Sequence, residues 1–331
     1  MSLLQEDISS VAHLDYDWEK LKNKTVLISG GTGFIGKFFI AVIKFRNEKF
    51  NDNIKVISLS RHPLADDRNV VYLKQDVTEE IKVDQEIDFI LHLASNTHPK
   101  QYAAYPVDTI VTNVLGCNNL LKLAVQKKIS RFLLASSVEI YGEGSGEEIR
   151  EDYCGYIDCN TARAGYNEGK RVSESLCQSF RQQYGVNCVI ARLARVFGAD
   201  KKQDSKAIAQ FLEKAVNGED ILLKSKGEQE FSYCYVADAV SGILKILLDG
   251  KDGEAYNLAE DFENKTLGDY AKLIASFANK KVIYDIQDVA GASKASYAVI
   301  NCDKLKALGW EAHYTVSGAL ERTYQILSKL H

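Results

Sequence analysis

Four residues whose types and spacing could do acid–base chemistry at a carbon stand in two short stretches. The first, "SSVEIYG" (136–142), puts the Ser137 hydroxyl and the Glu139 carboxylate two residues apart. The second, "YNEGK" (166–170), puts Tyr166 and Lys170 four apart, hence on one face of a helix. A free tyrosine has a pKa of about 10. A neighbouring ammonium favours the phenolate and makes Tyr166 a usable base near neutrality. Ser137 could hold the oxygen whose proton Tyr166 removes. Glu139 is either a solvated loop charge or a second acid–base group beside a reacting carbon. If the strand ran on past Ser137, alternation would aim both side chains the same way. The Tyr-x-x-x-Lys spacing is cheap: with 17 tyrosines it recurs at Tyr16 and Lys20. That pair precedes any strand, whereas Tyr166 follows a strand ending in a hydroxyl.

These side chains need a frame. "TVLISG" (25–30), "IKVISLS" (54–60), "VVYLKQD" (70–76), "DFILHLAS" (88–95), "RFLLASS" (131–137) and "NCVIARLA" (187–194) read as strands. Their near-continuous apolar character is that of strands buried on both faces. Helical segments lie between them at about 34–49, 107–128 and 161–184. The alternation predicts an α/β fold with a doubly wound parallel sheet of the Rossmann type, with ligands at the carboxyl ends of the strands. After about residue 195 the pattern loosens. A helix near 205–218, strands near 220–224, 231–236 and 254–258, and helices near 267–278 and 315–330 predict a smaller lobe. The expected division is an extension or added helix at 1–23, a dinucleotide-binding domain at 24–194 joined by 237–249, and a mainly substrate-binding lobe over 195–331.

"GGTGFIG" (30–36) follows the first strand and opens a helix. Gly30 permits the tight turn, Gly33 lets backbone approach a pyrophosphate, and Gly36 lets the helix pack on the strand. The helix N-terminus offers N–H donors to phosphates. For NAD an acid usually closes the second strand; here Ser60 and Arg61 stand there. A hydroxyl and a guanidinium favour the 2′-phosphate of NADP, unless Arg61 only stacks on the adenine. Asp76 is placed to contact adenine. Phe34, Ile35, Val77, Leu93, Ala94 and Ser95, beside the loop and at the ends of the third and fourth strands, complete the expected cofactor wall.

The totals are those of a globular chain: 331 residues, 46% hydrophobic, 26% charged. A net charge of -4 excludes a basic nucleic-acid footprint. No apolar run reaches the roughly 18 residues of a membrane helix. "MSLLQEDISS" lacks the h-region of a signal peptide. Seven cysteines without CxxC spacing argue against a disulfide framework or a metal site and for the cytoplasm.

The chain from residue 24 onward resembles the extended short-chain dehydrogenase/reductases, the nucleotide-sugar epimerases, dehydratases and decarboxylases. The resemblance rests on GxxGxxG at 30–36, "HLAS" at 92–95, "TNVLGCNNLLKLA" at 112–124, Ser137, Tyr166 with Lys170, and "KLKALGW" at 304–310. It is most similar to the UDP-glucuronate decarboxylases, through 105–116, "SSVEIYG", 151–174 and 197–219. The resemblance implies NAD(P)-dependent oxidation of a nucleotide sugar at carbon 4, with Tyr166 taking the 4-hydroxyl proton, and then chemistry at carbon 5. It implies Glu139 as the acid–base group of that second step. Sugar 4,6-dehydratases carry an Asp-Glu pair here, and Val138 stands at the Asp position. Decarboxylases carry the Glu and also an Arg where Phe231 stands. Simple 4-epimerases generally lack the Glu. Decarboxylation is therefore expected first, then 4,6-dehydration, then epimerisation or keto-sugar reduction. A non-catalytic dinucleotide-binding regulator is the rival of another class.

Relatives often carry Asn where Arg195 stands, in contact with substrate. Arg195 could bind a pyrophosphate or a sugar carboxylate, or form a structural ion pair. His98 could touch substrate or sit in a surface loop. Glu174 is expected to neutralise charge, and Cys154 and Cys159 to be small packing residues. Relatives pair two helices into a four-helix bundle, which implies a homodimer through 107–128 and 161–184. Leu120, Leu121, Leu123, Leu176 and Phe180 offer contacts, some of which must instead face the sheet.

Overall fold

A computed structural model of the chain describes residues 1–97, 104–144, 146–200, 206–263, 265–286 and 297–330. The first helix, α1 (Leu3–Ala12), starts at a capping box: the Ser2 hydroxyl accepts from Gln5 N–H and the Gln5 side chain accepts from Ser2 N–H. Then come β1 (Thr25–Ser29), α2 (Phe34–Phe50), β2 (Lys55–Ser60), β3 (Val70–Lys74) and β4 (Phe89–His92). Helix α3 (Pro106–Lys127), β5 (Arg131–Ser137), a 3-10 turn (Val138–Tyr141), α4 (Ala164–Tyr184) and β6 (Cys188–Leu193) complete the first half.

The second half has β7 (Arg195–Phe197), α5 (Ala207–Val216), β8 (Ile221–Leu223), β9 (Glu230–Phe231) and β10 (Tyr233–Tyr235). It continues with α6 (Val236–Asp249), β11 (Ala255–Leu258), α7 (Leu267–Phe277), β12 (Val282–Tyr284), β13 (Tyr297–Ala298), α8 (Asp303–Lys306) and α9 (Val316–Ser328).

Among the described residues the main sheet has seven parallel strands in the order β11-β6-β5-β4-β1-β2-β3. The doubly wound parallel sheet read from the sequence is present. Its chain order runs outward from β1 in both directions, so the β1/β4 boundary is a topological switch point. Val26, Leu27, Ile28, Ile90, Leu91, Leu133 and Leu134 are fully buried, as strands covered on both faces require. The segment 254–258, expected only as a loose late strand, is the edge strand β11, paired in parallel with β6. Three two-stranded parallel ribbons, β7/β10, β8/β12 and β9/β13, lie beyond the sheet.

The N-terminal extension is integral to the core. Asp7 of α1 is fully buried and accepts from the hydroxyls of Tyr235 (2.7 Å) and Tyr314 (2.8 Å) and from Arg322 Nε (2.6 Å). The first turn of the chain is thereby fastened to its last helix. Of the proposed dimer contacts, Leu120, Leu121, Leu123 and Phe180 are buried within this one chain and Leu176 packs partly against the same core. The parallel sheet claims those faces. The large apolar side chains that α3 and α4 leave exposed are Val107, Ile110, Leu115, Val172 and Tyr184.

Candidate active site

The glycine loop has the shape a dinucleotide needs. Gly30 adopts φ +79°, and a Cβ there would lie 2.9 Å from the Ala94 backbone nitrogen. A Cβ at Gly36 would lie 2.5 Å from the Gly30 carbonyl oxygen, so only glycine lets α2 begin this close to the turn. Gly33 is the N-cap of α2, and Lys37 N–H donates to its carbonyl. The first amides of α2 are left for an anion. The residues present fit a pyrophosphate.

The other predicted cofactor residues divide. Phe34 and Ile35 open α2 and are partly buried. Leu93 N–H bonds the Ser29 carbonyl and Ala94 N–H the Ser29 hydroxyl, which ties the β4 end to the β1 end. Ser95 Oγ donates to Asn113 Oδ1 at 2.8 Å. Asp76 accepts from Thr78 N–H and Thr78 Oγ–H, both at 2.9 Å, and so caps its own turn. Val77 is buried under Gly116 of α3. Ser60 Oγ lies 2.8 Å from Thr32 Oγ1 and makes two 3.1 Å bonds with the His62 backbone. That fills its bonding capacity, leaving exposed Arg61 as the available cation at the β2 end. His98 falls outside the described residues.

The catalytic candidates lie at the carboxyl end of β5. Strand β5 stops at Ser137, so strand alternation does not carry on to Glu139. A 3-10 turn begins instead, and Ser137 caps it: its Oγ accepts from Glu139 N–H at 3.2 Å. Accepting there leaves the Ser137 O–H free to point elsewhere. Tyr166 and Lys170 are buried in the first two turns of α4. Lys170 Nζ donates to the Ala135 carbonyl at 2.8 Å, which sets it under the end of β5. Burial brings its ammonium down to about 8.

Glu139 is partly exposed and faces a cation: Arg195 Nη2 lies 3.4 Å from its Oε1. The Arg195 guanidinium sits 3.7 Å from the centroid of Phe231, and its Nη1 is buried without a hydrogen-bond partner. Both readings of Arg195 thus meet here, an ion pair and an open donor. Glu174 pairs with Arg192 at 2.8 Å and accepts from Ser136 Oγ at 2.5 Å, the charge-neutralising role expected of it. Cys154 and Cys159 are exposed rather than packed, because the segment before α4 runs over the surface.

Sequence reasoning missed three participants. Asn167 Nδ2 donates to the Glu139 carbonyl at 2.7 Å, and Arg171 Nε to the Ile140 carbonyl at 2.7 Å. Their place next to Tyr166 and Lys170 on α4 was the available signal. His92 is fully buried, with Nδ1 2.7 Å from Ser29 Oγ. Burial first, and the Lys170 charge second, lower its pKa to about 3. It stays neutral and links the ends of β1 and β4.

A cleft of about 810 Å³ lies to one side, lined by Arg150, Asp152, Cys154, Gln178 and Lys304 among others. It shares Ile140, Arg171 and Glu174 with the rim of the cluster but contains none of Ser137, Glu139, Tyr166 and Lys170.

Comparison with known proteins places the chain in a family and a fold. The sequence profile of the NAD dependent epimerase/dehydratase family matches residues 26–259. The chain is 31% identical to UDP-glucuronic acid decarboxylase 1 of Danio rerio over 318 residues, 92% of this chain and 73% of that one. It is 32% identical to UDP-glucuronic acid decarboxylase 5 of Arabidopsis thaliana over 304 residues, 87% of this chain and 85% of that one. In fold it is similar to dTDP-glucose 4,6-dehydratase from Streptomyces venezuelae, solved with NAD bound (TM-score 0.80, 21% identity, 92% of this chain and 97% of that one). It is equally similar to UDP-glucose 4-epimerase from Thermotoga maritima, solved with UDP-glucose (TM-score 0.81, 22% identity, 92% and 99%).

Proposed function

The chain belongs to the NAD dependent epimerase/dehydratase family, and on that premise we propose that it oxidises a nucleotide-linked sugar at carbon 4 and then acts at carbon 5, with loss of a carbon 5 carboxylate as the leading chemistry. The bound dinucleotide would supply one thing, the acceptor for the carbon 4 hydride. The protein does the rest. Ser137 donates its free O–H to the 4-oxygen, and Tyr166 takes the 4-hydroxyl proton. The buried Lys170 ammonium stabilises the phenolate. The resulting 4-ketone accepts the electron pair when the bond from carbon 5 to the carboxylate breaks and carbon dioxide leaves. Glu139, partly exposed, takes up a proton from water and then delivers it to carbon 5.

The observation that carries the second step is the pairing of Glu139 with Arg195 beside the Ser137 cap. Arg195 would bind the anionic part of the substrate through its open Nη1, with Phe231 as its platform. The 4,6-dehydration reading keeps Glu139 as base but needs an acid for the leaving 6-hydroxyl, and Val138 is a buried aliphatic side chain. The nucleotide-sugar relatives named above support the substrate class. Residues 24–194 with 237–249 are read as the dinucleotide lobe, and 195–331 mainly as the sugar lobe. Arg61, with no acid at the end of β2, favours NADP over NAD. A tenfold tighter dissociation constant for NAD would overturn that choice. A homodimer through α3 and α4 in the cytoplasm completes the reading.

The test is Glu139→Gln in a single turnover with UDP-glucuronate. Reduced cofactor should still appear, because Tyr166 and Lys170 remain. Steps beyond the 4-keto sugar should slow by about 10²–10⁴, read as deuterium incorporation at carbon 5 from heavy water. Wild-type behaviour of the variant would leave Glu139 a loop charge and move the epimerase and reductase readings ahead.

A further inference from the structure

Glu139 lies in a 3-10 turn of four residues. So short a turn fixes little by itself: the Glu139 carbonyl accepts one bond of 3.3 Å, from the N–H of the cap residue Gly142. Two side chains of α4 add shorter bonds to the same turn. Asn167 Nδ2 donates to the Glu139 carbonyl at 2.7 Å, and Arg171 Nε donates to the Ile140 carbonyl at 2.7 Å. Arg171 Nη2 also donates to the Gly155 carbonyl at 2.6 Å, fastening the segment before α4 to the same turn. Ser137 holds the front of the turn through Glu139 N–H. The peptide that carries Glu139 is therefore pinned at its N–H by Ser137 and at its carbonyl by the neighbour of Tyr166.

We infer that Asn167 is a positioning residue for Glu139, setting that carboxylate in register with Tyr166 so that one sugar pose serves both carbon 4 and carbon 5. The inference rests on the role proposed for Glu139. The Asn167 amide hydrogen-bonds a backbone carbonyl and the residue is only partly buried, so its removal need not unfold α4. Tyr166 and Lys170 lie one position before it and three after, and the Lys170 ammonium bonds the Ala135 carbonyl rather than the Asn167 amide.

The experiment compares Asn167→Ala, Asn167→Asp and Asn167→Gln with Glu139→Gln and the wild type, using UDP-glucuronate as the probe. Reduced-cofactor formation in a single turnover reads the carbon 4 step, and deuterium incorporation at carbon 5 reads the second. Asn167→Ala should keep the first within about threefold of wild type and slow the second about tenfold to a hundredfold, the scale of an ångström of misplacement. Asn167→Asp should be slower still, since an ionised carboxylate would face the carbonyl. Asn167→Gln, which keeps an amide donor, should recover part of the rate. Equal slowing of both steps, or no slowing of the second while Glu139→Gln is slow, overturns the inference. An inert wild-type protein, or a Glu139→Gln variant as fast as wild type, fails the functional reading and takes this inference with it.

Discussion

The guanidinium of Arg195 lies over the ring of Phe231, 3.7 Å from its centroid. The two residues sit on different short strands, β7 and β9, and the stack aims the cation at Glu139. One guanidinium nitrogen remains buried and unbonded, a state that costs about 1–3 kcal/mol until an acceptor arrives.

From this stack we expect Arg195→Ala to raise the Michaelis constant for the nucleotide sugar about tenfold to a hundredfold, the worth of a hydrogen bond to a charged group. Cofactor affinity should not change. Phe231→Ala should act in the same direction and more weakly, by the roughly 0.5–2 kcal/mol of a cation–π contact. An unchanged Michaelis constant with a lowered melting temperature would reduce the Arg195–Glu139 contact to a structural ion pair.

Tyr166→Phe removes one proton-carrying oxygen and nothing else of the buried ring. Turnover should fall by about 10²–10⁴, while dinucleotide binding, followed by fluorescence titration, stays near wild type. Retention of more than about a tenth of the activity, against that expectation, would assign the base elsewhere.

Lys170 gives a pH signature of the fold itself. Its folded pKa of about 8 lies below its ordinary value of 10.5, because burial opposes the charge. Between those values the unfolded chain holds a proton that the folded chain has released, so stability rises with pH. The cost of the buried ammonium is fully present below about 8 and is gone above 10.5. Relative to Lys170→Met, the wild-type apoprotein should gain on the order of 3 kcal/mol across that window. Denaturant titrations of both proteins between pH 7.5 and 10, on the rising part of that curve, should show the gap changing in the wild type's favour. A pH-independent gap would mean that the folded Lys170 titrates normally.

The first half of the chain was legible because its signals are local. Buried parallel strands announce themselves as apolar runs, and the glycines of 30–36 answer to contacts within one turn. Tyr166 and Lys170 were placed by a preceding strand. What stayed hidden depends on distant partners. The strand 255–258 reads like its neighbours in the second half, and only pairing with β6 puts it in the main sheet. Ser137 as a turn cap, Asn167 as a clamp and Arg195 on Phe231 are side-chain geometries with no periodicity to betray them. Leu120 and Leu121 looked like interface candidates because a helix buried against a sheet and one buried against a second copy share the same apolar spacing.

The exposed apolar side chains left on α3 and α4 give the proposed dimer its test. Val107, Leu115 and Val172 are open to solvent. Replacing Leu115 and Val172 by Glu should turn a dimer into a monomer by light scattering at micromolar concentration and leave the melting temperature of the monomer core little changed. A wild-type protein that is already monomeric at that concentration would remove the proposal.

Asp7 supplies the last prediction, for a segment whose purpose no motif disclosed. Its carboxylate accepts from Tyr235, Tyr314 and Arg322 while fully buried, and Arg322 also donates to the Leu3 carbonyl and pairs with Glu6. Removing one partner of a buried charged cluster leaves the others unsatisfied, at a cost of roughly 3–5 kcal/mol. The Arg322 side chain is 19% exposed and reaches some water, which places the expectation at the lower end of that range. Asp7→Ala should therefore lower the unfolding free energy by about 3 kcal/mol. Tyr235 stands in β10, which pairs with β7, the strand that opens at Arg195. If α1 only braces the core, the Michaelis constant for the nucleotide sugar stays at the wild-type value at temperatures where the variant is folded. If α1 also sets the β7/β10 ribbon, the Michaelis constant rises together with the loss of stability, and a variant as stable as wild type would show that the cluster on Asp7 contributes nothing to the fold.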